Sequence, residues 1–224
     1  MTHSEENYLK AIFHLGGLDG AAISTNAIAE QMETKPSSVT DMVKKLSEKG
    51  LVNYKKYQGV SLTATGRTTA LAVIRKHRLW EVFLVEKLDF SWDEVHEVAE
   101  QLEHIKSEKL IDRLDQLLEF PKYDPHGDPI PGKNGEFQER DKLLLSKMPV
   151  NGKGVCVGVK DSSATFLKFL DKNNIALGNL IEVLDKEDFD NSLHIRVAGN
   201  VLQVSHQIAA NLYVKPNEKE WRIS

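Results

Sequence analysis

Val95-His96-Glu97-Val98-Ala99-Glu100-Gln101-Leu102-Glu103-His104 lies within a stretch, Asp93–Glu119, that contains neither proline nor glycine. Its apolar residues recur at helical spacing, so the pattern predicts a helix that starts near Asp93. The apolar stripe consists of Val95, Val98, Ala99, Leu102 and Ile105. The opposite face, at positions i, i+4, i+7 and i+8, carries His96, Glu100, Glu103 and His104. Two imidazoles and two carboxylates on one face offer half of a divalent-metal site, and an ordinary solvated face is the alternative.

The bulk composition limits the class of protein. The chain has 224 residues, of which 41% are hydrophobic and 28% charged, as in a globular protein of one or two domains. A net charge of −4 excludes a general polyanion binder, so any contact with nucleic acid requires a local basic patch. The single cysteine, Cys156, excludes a disulfide framework within the chain. Neither a signal peptide nor a membrane span is evident, and we expect a cytoplasmic protein without a membrane partner.

The N-terminal segment has the helix pattern of a DNA-binding motif. Apolar residues within Ser4–Leu15 predict a first helix, with Ser4 as its N-cap. A short second helix, Asn26–Met32, is followed by a third that opens at Pro36, a residue favoured in the first turn. Two short helices joined by a tight turn, the second opening with hydroxyl residues, are typical of a helix-turn-helix.

Two strands follow directly and predict the wing of a winged helix. Leu51–Tyr57 and Val60–Thr63 are rich in β-forming residues and flank a Gln58-Gly59 turn. Short hydroxyl side chains early in the third helix suit the major groove, and the lysines suit phosphates. Alternatively, the serines and the threonine are only residues that favour the start of a helix, and the lysines only increase solubility. The candidate DNA contacts are Lys35, Ser37, Ser38, Thr40, Lys44, Lys45, Lys55, Lys56 and Tyr57.

The remainder of the chain predicts a long helix, a linker and a small β-barrel. Thr65–Leu88 is helical in pattern, and the linker is rich in proline and glycine over Pro121–Gly135. Asp141–Met148 predicts a further short helix. Closely spaced short strands interrupted by a helix at Ala164–Leu170 predict a barrel of about 65 residues. The predicted strands are Val155–Val159, Leu180–Leu184, Leu193–Val197, Val201–Ser205 and Asn211–Val214.

Several short motifs occur in the order seen in one protein family. They are Glu6-Asn7-Tyr8-Leu9, Pro36-Ser37-Ser38-Val39-Thr40, Leu62-Thr63-Ala64-Thr65-Gly66, Arg75-Lys76-His77-Arg78-Leu79, Val95-His96 with Glu103-His104, and His126-Gly127-Asp128-Pro129-Ile130-Pro131. Each motif alone is weak, but together and in order the whole chain resembles the diphtheria-toxin-repressor/manganese-regulator (DtxR/MntR) family.

The resemblance implies a mainly α protein with β structure, in three domains. These are a winged helix-turn-helix over residues 1–70, a helical dimerisation and metal-binding domain with its linker over 71–148, and an SH3-like, FeoA-type barrel over 149–224. It also implies a homodimeric repressor of metal-uptake genes, activated by Mn(II) or alternatively Fe(II), that binds two-fold related half-sites on double-stranded DNA. In the family, metal fastens the N-terminal helix to the dimerisation helices.

The resemblance further implies two metal sites. The primary site would consist of His77, Glu100, Glu103, His104 and Asn7. Asn7 offers an amide oxygen, a weaker ligand than a carboxylate, and Lys10 stands where manganese regulators with paired ions carry an acid. Because an ammonium cannot ligate and would repel a second cation, a single ion is expected. Oxygen and imidazole donors favour Mn(II), although Fe(II) accepts the same set.

An ancillary site has two versions in the family, and Glu81 belongs to both. One version adds His96, and the other uses the linker and the barrel, which here offer Asp124, His126 and Asp161. The loop version is favoured.

Two other functions compete with this interpretation. A winged-helix regulator could respond to a ligand other than metal. More remotely, the histidine and glutamate face could belong to a metal-dependent hydrolase, although no HExxH motif, nucleophile elbow or phosphate loop occurs.

Overall fold

In a computed structural model that describes residues 1–56, 58–136 and 141–217, the chain begins with helix α1 (His3–Gly16). Thr2, not the predicted Ser4, is its N-cap. The Thr2 hydroxyl accepts from the Glu5 backbone N–H at 3.3 Å, and the Glu5 carboxylate accepts from the Thr2 N–H at 3.1 Å. This reciprocal capping box satisfies two otherwise unpaired donors, so the N-cap lies two residues earlier than predicted.

The helix-turn-helix and its wing follow α1. They comprise α2 (Thr25–Gln31), α3 (Pro36–Glu48), β1 (Val52–Lys55) and β2 (Gly59–Leu62). The two strands pair antiparallel, and the predicted elements are confirmed to within about two residues, the usual uncertainty of element ends. The residues of this core with no exposed surface include Leu9, Ile28, Val39, Val43, Leu46 and Val60.

Three further helices are α4 (Ala64–Leu88), α5 (Val95–Leu102) and α6 (Glu108–Leu117). The helix predicted to start near Asp93 and to carry Glu103 and His104 on one face is therefore too long, because α5 ends at Leu102. Ser107 starts α6 by accepting from the Leu110 N–H at 3.3 Å, which provides a new helix start where the sequence pattern suggested continuation. The intervening turn contains Glu103 and His104, which are buried rather than on a solvated face.

The C-terminal part contains the strands β3 (Leu143–Leu144), β4 (Lys153–Val159), β5 (Leu180–Lys186), β6 (Leu193–Val197), β7 (Asn200–Val204) and β8 (Leu212–Pro216). They form a six-stranded antiparallel sheet with the order β3-β8-β4-β5-β6-β7. Helices α7 (Ala164–Lys172) and α8 (His206–Ala209) accompany it. The predicted helix at Asp141–Met148 is wrong. Leu143 pairs with Val214 in the sheet, and only a single 3₁₀ turn (Leu145–Lys147) follows.

The linker contains a turn that only glycine permits. One Asp124 carboxylate oxygen accepts from the backbone N–H groups of His126 and Asp128, each at 2.9 Å. Gly127 has φ +86°, and a Cβ there would lie 2.1 Å from the Val157 carbonyl oxygen. The loop therefore lies against β4, and the Val159 N–H donates to the His126 carbonyl at 2.9 Å.

The described residues form two units, each with its own core. One consists of Met1–Trp80, Ala99–Glu119 and 130–136, and the other of Glu81–Val98, Phe120–Pro129 and 141–217. Among the helices described, none combines the length and apolar character that a bilayer span requires.

Candidate metal centre

The Glu103 carboxylate is the most buried group of the predicted primary site. It has no exposed surface, and its Oε2 lies 2.6 Å from Nδ1 of His77, on α4. Nζ of Lys10, on α1, lies 2.8 and 2.9 Å from the two carboxylate oxygens. Burial alone would raise the pKa of Glu103, but the imidazole and the ammonium outweigh it and hold the pKa below its usual range. Glu103 is therefore an ionised acceptor where two other elements meet.

Glu100 presents a second carboxylate to the same neighbours. Because Glu100 and Glu103 are three residues apart, they lie on the same side of the helix end. Nζ of Lys10 lies 2.5 Å from Glu100 Oε1, and Nδ1 of His77 lies 3.9 Å from that oxygen. The Glu100 side chain is one-third exposed. The centre can thus be reached from solvent on the Glu100 side.

His104 is oriented by a residue that sequence reasoning did not select. Its Nδ1 lies 2.6 Å from Oε2 of Glu6, and its ring stacks on His3 at 4.2 Å between centroids. Nε2 lies 3.7 Å from Glu103 Oε1. A carboxylate that accepts from Nδ1–H leaves Nε2 as the basic nitrogen, the usual arrangement of a metal-bound histidine. In the sequence, Glu6 opens the Glu6-Asn7-Tyr8-Leu9 motif and shares a helical face with Lys10.

Asn7 has a side-chain amide oxygen that requires a partner. Its amide oxygen is buried and accepts no hydrogen bond from the part of the chain that the structure describes. Leaving a buried acceptor unpaired is costly, and a cation would satisfy it. The predicted ligands are of carboxylate, imidazole and amide type, which suit Mn(II) or Fe(II). The residues present therefore fit a divalent ion.

A second group gathers around Glu81. The ligand atoms of Glu81, Asp124 and His126 all lie within 4.8 Å of one another, and all three residues are buried. We call this group the ancillary cluster. Nδ1 of His126 lies 3.5 Å from Glu81 Oε2, while its Nε2 donates to the Trp92 carbonyl at 2.8 Å. The carbonyl accepts only, so Nδ1 is the nitrogen that faces the carboxylates.

The protonation of His126 reflects these neighbours. Burial acts to lower the pKa of this imidazole, but Glu81 and Asp124 outweigh it and raise the pKa to about 9. A metal and a proton would therefore compete for the same nitrogen.

The other two ancillary candidates differ from this group. Nδ1 of His96 lies 3.5 Å from Glu81 Oε1, but the His96 side chain is 54% exposed. Asp161 is not within the cluster, and its Oδ1 accepts from the Ser163 N–H at 2.8 Å at the start of α7. The cluster therefore corresponds to the loop version without Asp161.

The candidate DNA contacts differ in exposure and in their partners within the chain. The exposed residues are Lys35, Ser37, Ser38, Lys44, Lys45, Lys55 and Lys56. Thr40 donates its hydroxyl to the Pro36 carbonyl at 3.0 Å. Nζ of Lys45 lies 2.9 Å from the buried Glu5 carboxylate, which Lys49 also contacts at 2.7 Å, so Lys45 joins α3 to α1. Tyr57 lies outside the described residues.

Comparison with known proteins gives three consecutive family matches. The profiles match residues 1–60 (iron dependent repressor, N-terminal DNA binding domain), 63–132 (iron dependent repressor, metal binding and dimerisation domain) and 143–216 (FeoA domain). A solved manganese-dependent transcriptional repressor in complex with manganese superposes with a TM-score of 0.86 at 33% identity, covering 95% of this chain and 100% of that chain. The chain belongs to the DtxR/MntR family of metal-dependent repressors.

Two further members of the family are similar to this chain. The structure of ScaR with bound Zn²⁺ matches with a TM-score of 0.77 at 37% identity, covering 94% of this chain and 98% of that chain. The iron-dependent repressor IdeR of Mycobacterium leprae (strain TN) is 36% identical over 132 residues. That match covers 59% of this chain and 57% of IdeR, so the chain spans a little over half of this curated relative.

Membership confirms the fold class and the resemblance. Winged helix, helical segment and FeoA-type sheet follow one another as predicted. Family members are DNA-binding repressors and not enzymes, so the hydrolase hypothesis is not supported. The names of the relatives include both manganese and iron.

Proposed function

We propose that this chain is a Mn(II)-responsive transcriptional repressor of metal-ion uptake genes, with Fe(II) as the alternative activator. The single observation that carries the proposal is the fully buried Glu103 carboxylate, which lies between His77 of α4 and Lys10 of α1. A buried carboxylate with imidazole and carboxylate neighbours is a suitable ligand for one hard or borderline cation. The proposed ligands are His77, Glu100, Glu103, His104 and Asn7.

The protein groups have separate roles in this proposal. A bound divalent ion would supply positive charge at the meeting point of the ligands. Glu103 and Glu100 offer anionic oxygens, while Glu6 holds His104 so that Nε2 is directed to the site. Asn7 contributes the ligand of α1, the helix that Glu5 also joins to α3 through Lys45 and Lys49. Metal occupancy would thereby stabilise the position of α1, and with it that of α3.

We propose the ancillary cluster as a second ion site. Glu81, Asp124 and His126 are buried and mutually close, whereas His96 is half exposed. The Trp92 carbonyl fixes the His126 ring, as is usual for the outer contacts of a metal-bound histidine.

DNA recognition is assigned to α3 and the wing. Ser37 and Ser38 are exposed in the first turn of α3 and would contact bases, and Lys35, Lys44, Lys55 and Lys56 would contact phosphates. Thr40 and Lys45 have intramolecular partners, and Tyr57 is still proposed as a wing contact. We propose that the protein acts in the cytoplasm as a homodimer, because a two-fold dimer matches two-fold half-sites.

The test of this function is metal-dependent DNA binding. A fluorescent duplex, selected from a randomised library with the full chain and Mn(II), is titrated with protein in Mn(II), in anaerobic Fe(II), in Mg(II) and in chelator. Mg(II) at equal concentration controls for the general salt effect on DNA binding. Tight binding only with Mn(II) or Fe(II) is expected. Equal binding in all four conditions would refute the proposal and favour a regulator that responds to another ligand.

Lys44 tests the assignment of α3 to the DNA phosphates. The exposed Lys44 ammonium lies 4.0 Å from Asp41, an ion pair too exposed to matter much for stability. Lys44→Ala should weaken binding to all sequences a few-fold and reduce the slope of log affinity against log salt by about one. A loss confined to particular sequences would instead show that Lys44 contacts bases.

A further inference from the structure

We propose that the Lys10 ammonium is a resident cation of the primary site, which holds α1 to Glu100 and Glu103 in the metal-free protein and opposes the entry of metal. The inference rests on the proposed function, because it assigns regulation to the same site. It concerns a residue that cannot itself be a ligand, since a protonated lysine has three donors and no acceptor.

The contacts of Lys10 match those of a bound cation. Its Nζ lies 2.5 Å from Glu100 Oε1 and 2.8 and 2.9 Å from the two oxygens of Glu103. Three donors thus face three carboxylate oxygens, and the hydrogen-bonding capacity of the ammonium is used completely. The same oxygens are the ones that a divalent ion would require.

Burial distinguishes this contact from an ordinary surface pair. The Lys10 side chain is 13% exposed and that of Glu103 not at all. In the same unit, the pair of Lys133 and Asp112 has a similar separation of 2.8 Å but exposures of 69% and 48%. Water screens the exposed pair of Lys133 and Asp112 much more than the buried pair of Lys10 and Glu103. Only the Lys10 ammonium therefore repels a nearby cation strongly.

Two consequences follow from this placement. In the absence of metal, Lys10 fastens α1 to the end of α5, a link otherwise assigned to the ion. When a divalent ion takes the oxygens of Glu100 and Glu103, the ammonium loses its acceptors and repels the incoming charge. Lys10 would therefore raise the metal concentration at which the primary site fills, and would exclude a second ion beside the first.

The experiment compares five full-length proteins: wild type, Lys10→Met, Lys10→Gln, Lys10→Arg and Lys133→Met. Lys10→Met removes the charge and keeps an unbranched side chain, whereas Lys10→Arg keeps the charge. Lys133→Met removes one charge from an exposed pair and is the matched control. Thermal unfolding in chelator measures the link in the metal-free protein. Competition against a fluorescent chelator measures the affinity and stoichiometry for Mn(II).

We expect Lys10→Met to lower the unfolding midpoint of the metal-free protein by about 5 °C. It should also bind Mn(II) at the primary site about tenfold more tightly than wild type. Lys10→Arg should stay near wild type in affinity, and Lys133→Met should match wild type in both measurements. Lys10→Gln, which keeps hydrogen-bond donors without charge, should bind Mn(II) as tightly as Lys10→Met.

The two possible failures are distinguishable. If wild type binds Mn(II) but Lys10→Met binds it equally or less tightly, or if the metal-free midpoint does not change, the role of Lys10 is wrong and the proposed function stands. If neither wild type nor any Lys10 variant binds Mn(II) or, under anaerobic conditions, Fe(II), the metal-responsive function fails as well. In that case a lowered midpoint for Lys10→Met would identify Lys10 as a structural ion-pair partner only, which overturns the inference.

Discussion

The primary site and the ancillary cluster both contain a buried carboxylate, and they compensate its charge differently. Glu103 is contacted by the Lys10 ammonium as well as by His77. Glu81 lies 3.5 Å from two imidazole nitrogens, those of His96 and His126. In the first region the compensating cation includes a side chain that can never ligate. In the second region it includes a proton on His126, a candidate ligand whose pKa is raised to about 9.

This difference shows why similar residue types need not give similar sites. A buried charge must be paired, and the partner decides what an incoming metal has to displace. At the primary site that partner is a tethered ammonium, which also links helix α1 to the end of α5. At the ancillary cluster it is a proton that leaves for solvent. We therefore expect the primary site to control the position of α1 and the ancillary cluster to act more weakly.

The largest expected effect comes from Glu103. Glu103→Gln keeps the shape of the side chain but removes the anionic ligand that contacts Lys10 and His77. Affinity for Mn(II) at the primary site should fall by more than about a hundredfold, beyond the range of changes in outer contacts. Mn(II) titration and DNA binding both measure this. A wild-type metal response in the variant would show that the primary site does not control DNA binding. The primary site would then not be the stronger of the two sites.

Glu6 tests how His104 is oriented. Glu6→Gln removes the charge that accepts from Nδ1 of His104 at 2.6 Å, so Mn(II) affinity should fall about 10- to 100-fold. The control is Glu5→Gln, the neighbouring carboxylate on α1, which contacts Lys45 and Lys49 instead. The control should keep its Mn(II) affinity. Equal losses in both variants would mean that general damage to α1, and not orientation of His104, is responsible.

Glu81 tests the weaker role of the ancillary cluster. Glu81→Gln removes the carboxylate that faces both imidazoles, so the stoichiometry of Mn(II) should fall from two ions per chain to one. DNA affinity at saturating Mn(II) should fall about tenfold, within the usual range of coupling between sites. Complete loss of the metal response would contradict the assignment of the weaker role to the ancillary cluster.

Glu5 gives the smallest effect, on stability and its dependence on pH. Hydrogen bonds from Lys49 and Lys45 lower the pKa of Glu5 from 4.5 to about 2. A lowered pKa means that the ionised form stabilises the fold. This contribution is complete above pH 4.5, decreases as the pH falls, and is lost near pH 2.

Thermal unfolding of Glu5→Gln in chelator measures this contribution directly. The variant should unfold a few degrees below wild type at neutral pH, and the two proteins should converge as the pH approaches 2. A difference that persists unchanged at low pH would show that the carboxylate charge is not what joins α1 to α3.

Much of the fold was predictable because it is local. Apolar spacing and turn residues located the winged helix to within about two residues and identified the strands of the C-terminal sheet. The break between α5 and α6 was missed, because Ser107 starts a new helix inside a stretch without proline or glycine. The short strand β3 was taken for a helix, because its assignment depends on pairing with β8, which is distant in the chain.

The candidate site was predictable in its members but not in its contacts. His77, Glu103 and His104 came from motifs and resemblance, and the structure brings them together with Glu100. Glu6, the partner of His104, was missed, and Lys10 was seen only as a residue that cannot ligate.

By itself, the sequence determined the order of helices and strands, the family and the set of candidate ligands, because these depend on spacing along the chain and on residue type. Only the tertiary structure decided which cation meets Glu103 and which acid orients His104. Lys10 and Glu103 are 93 residues apart, and Glu6 and His104 are 98 apart. Helical periodicity relates residues a few positions apart, so such pairs arise only when distant segments pack and bury their charges together.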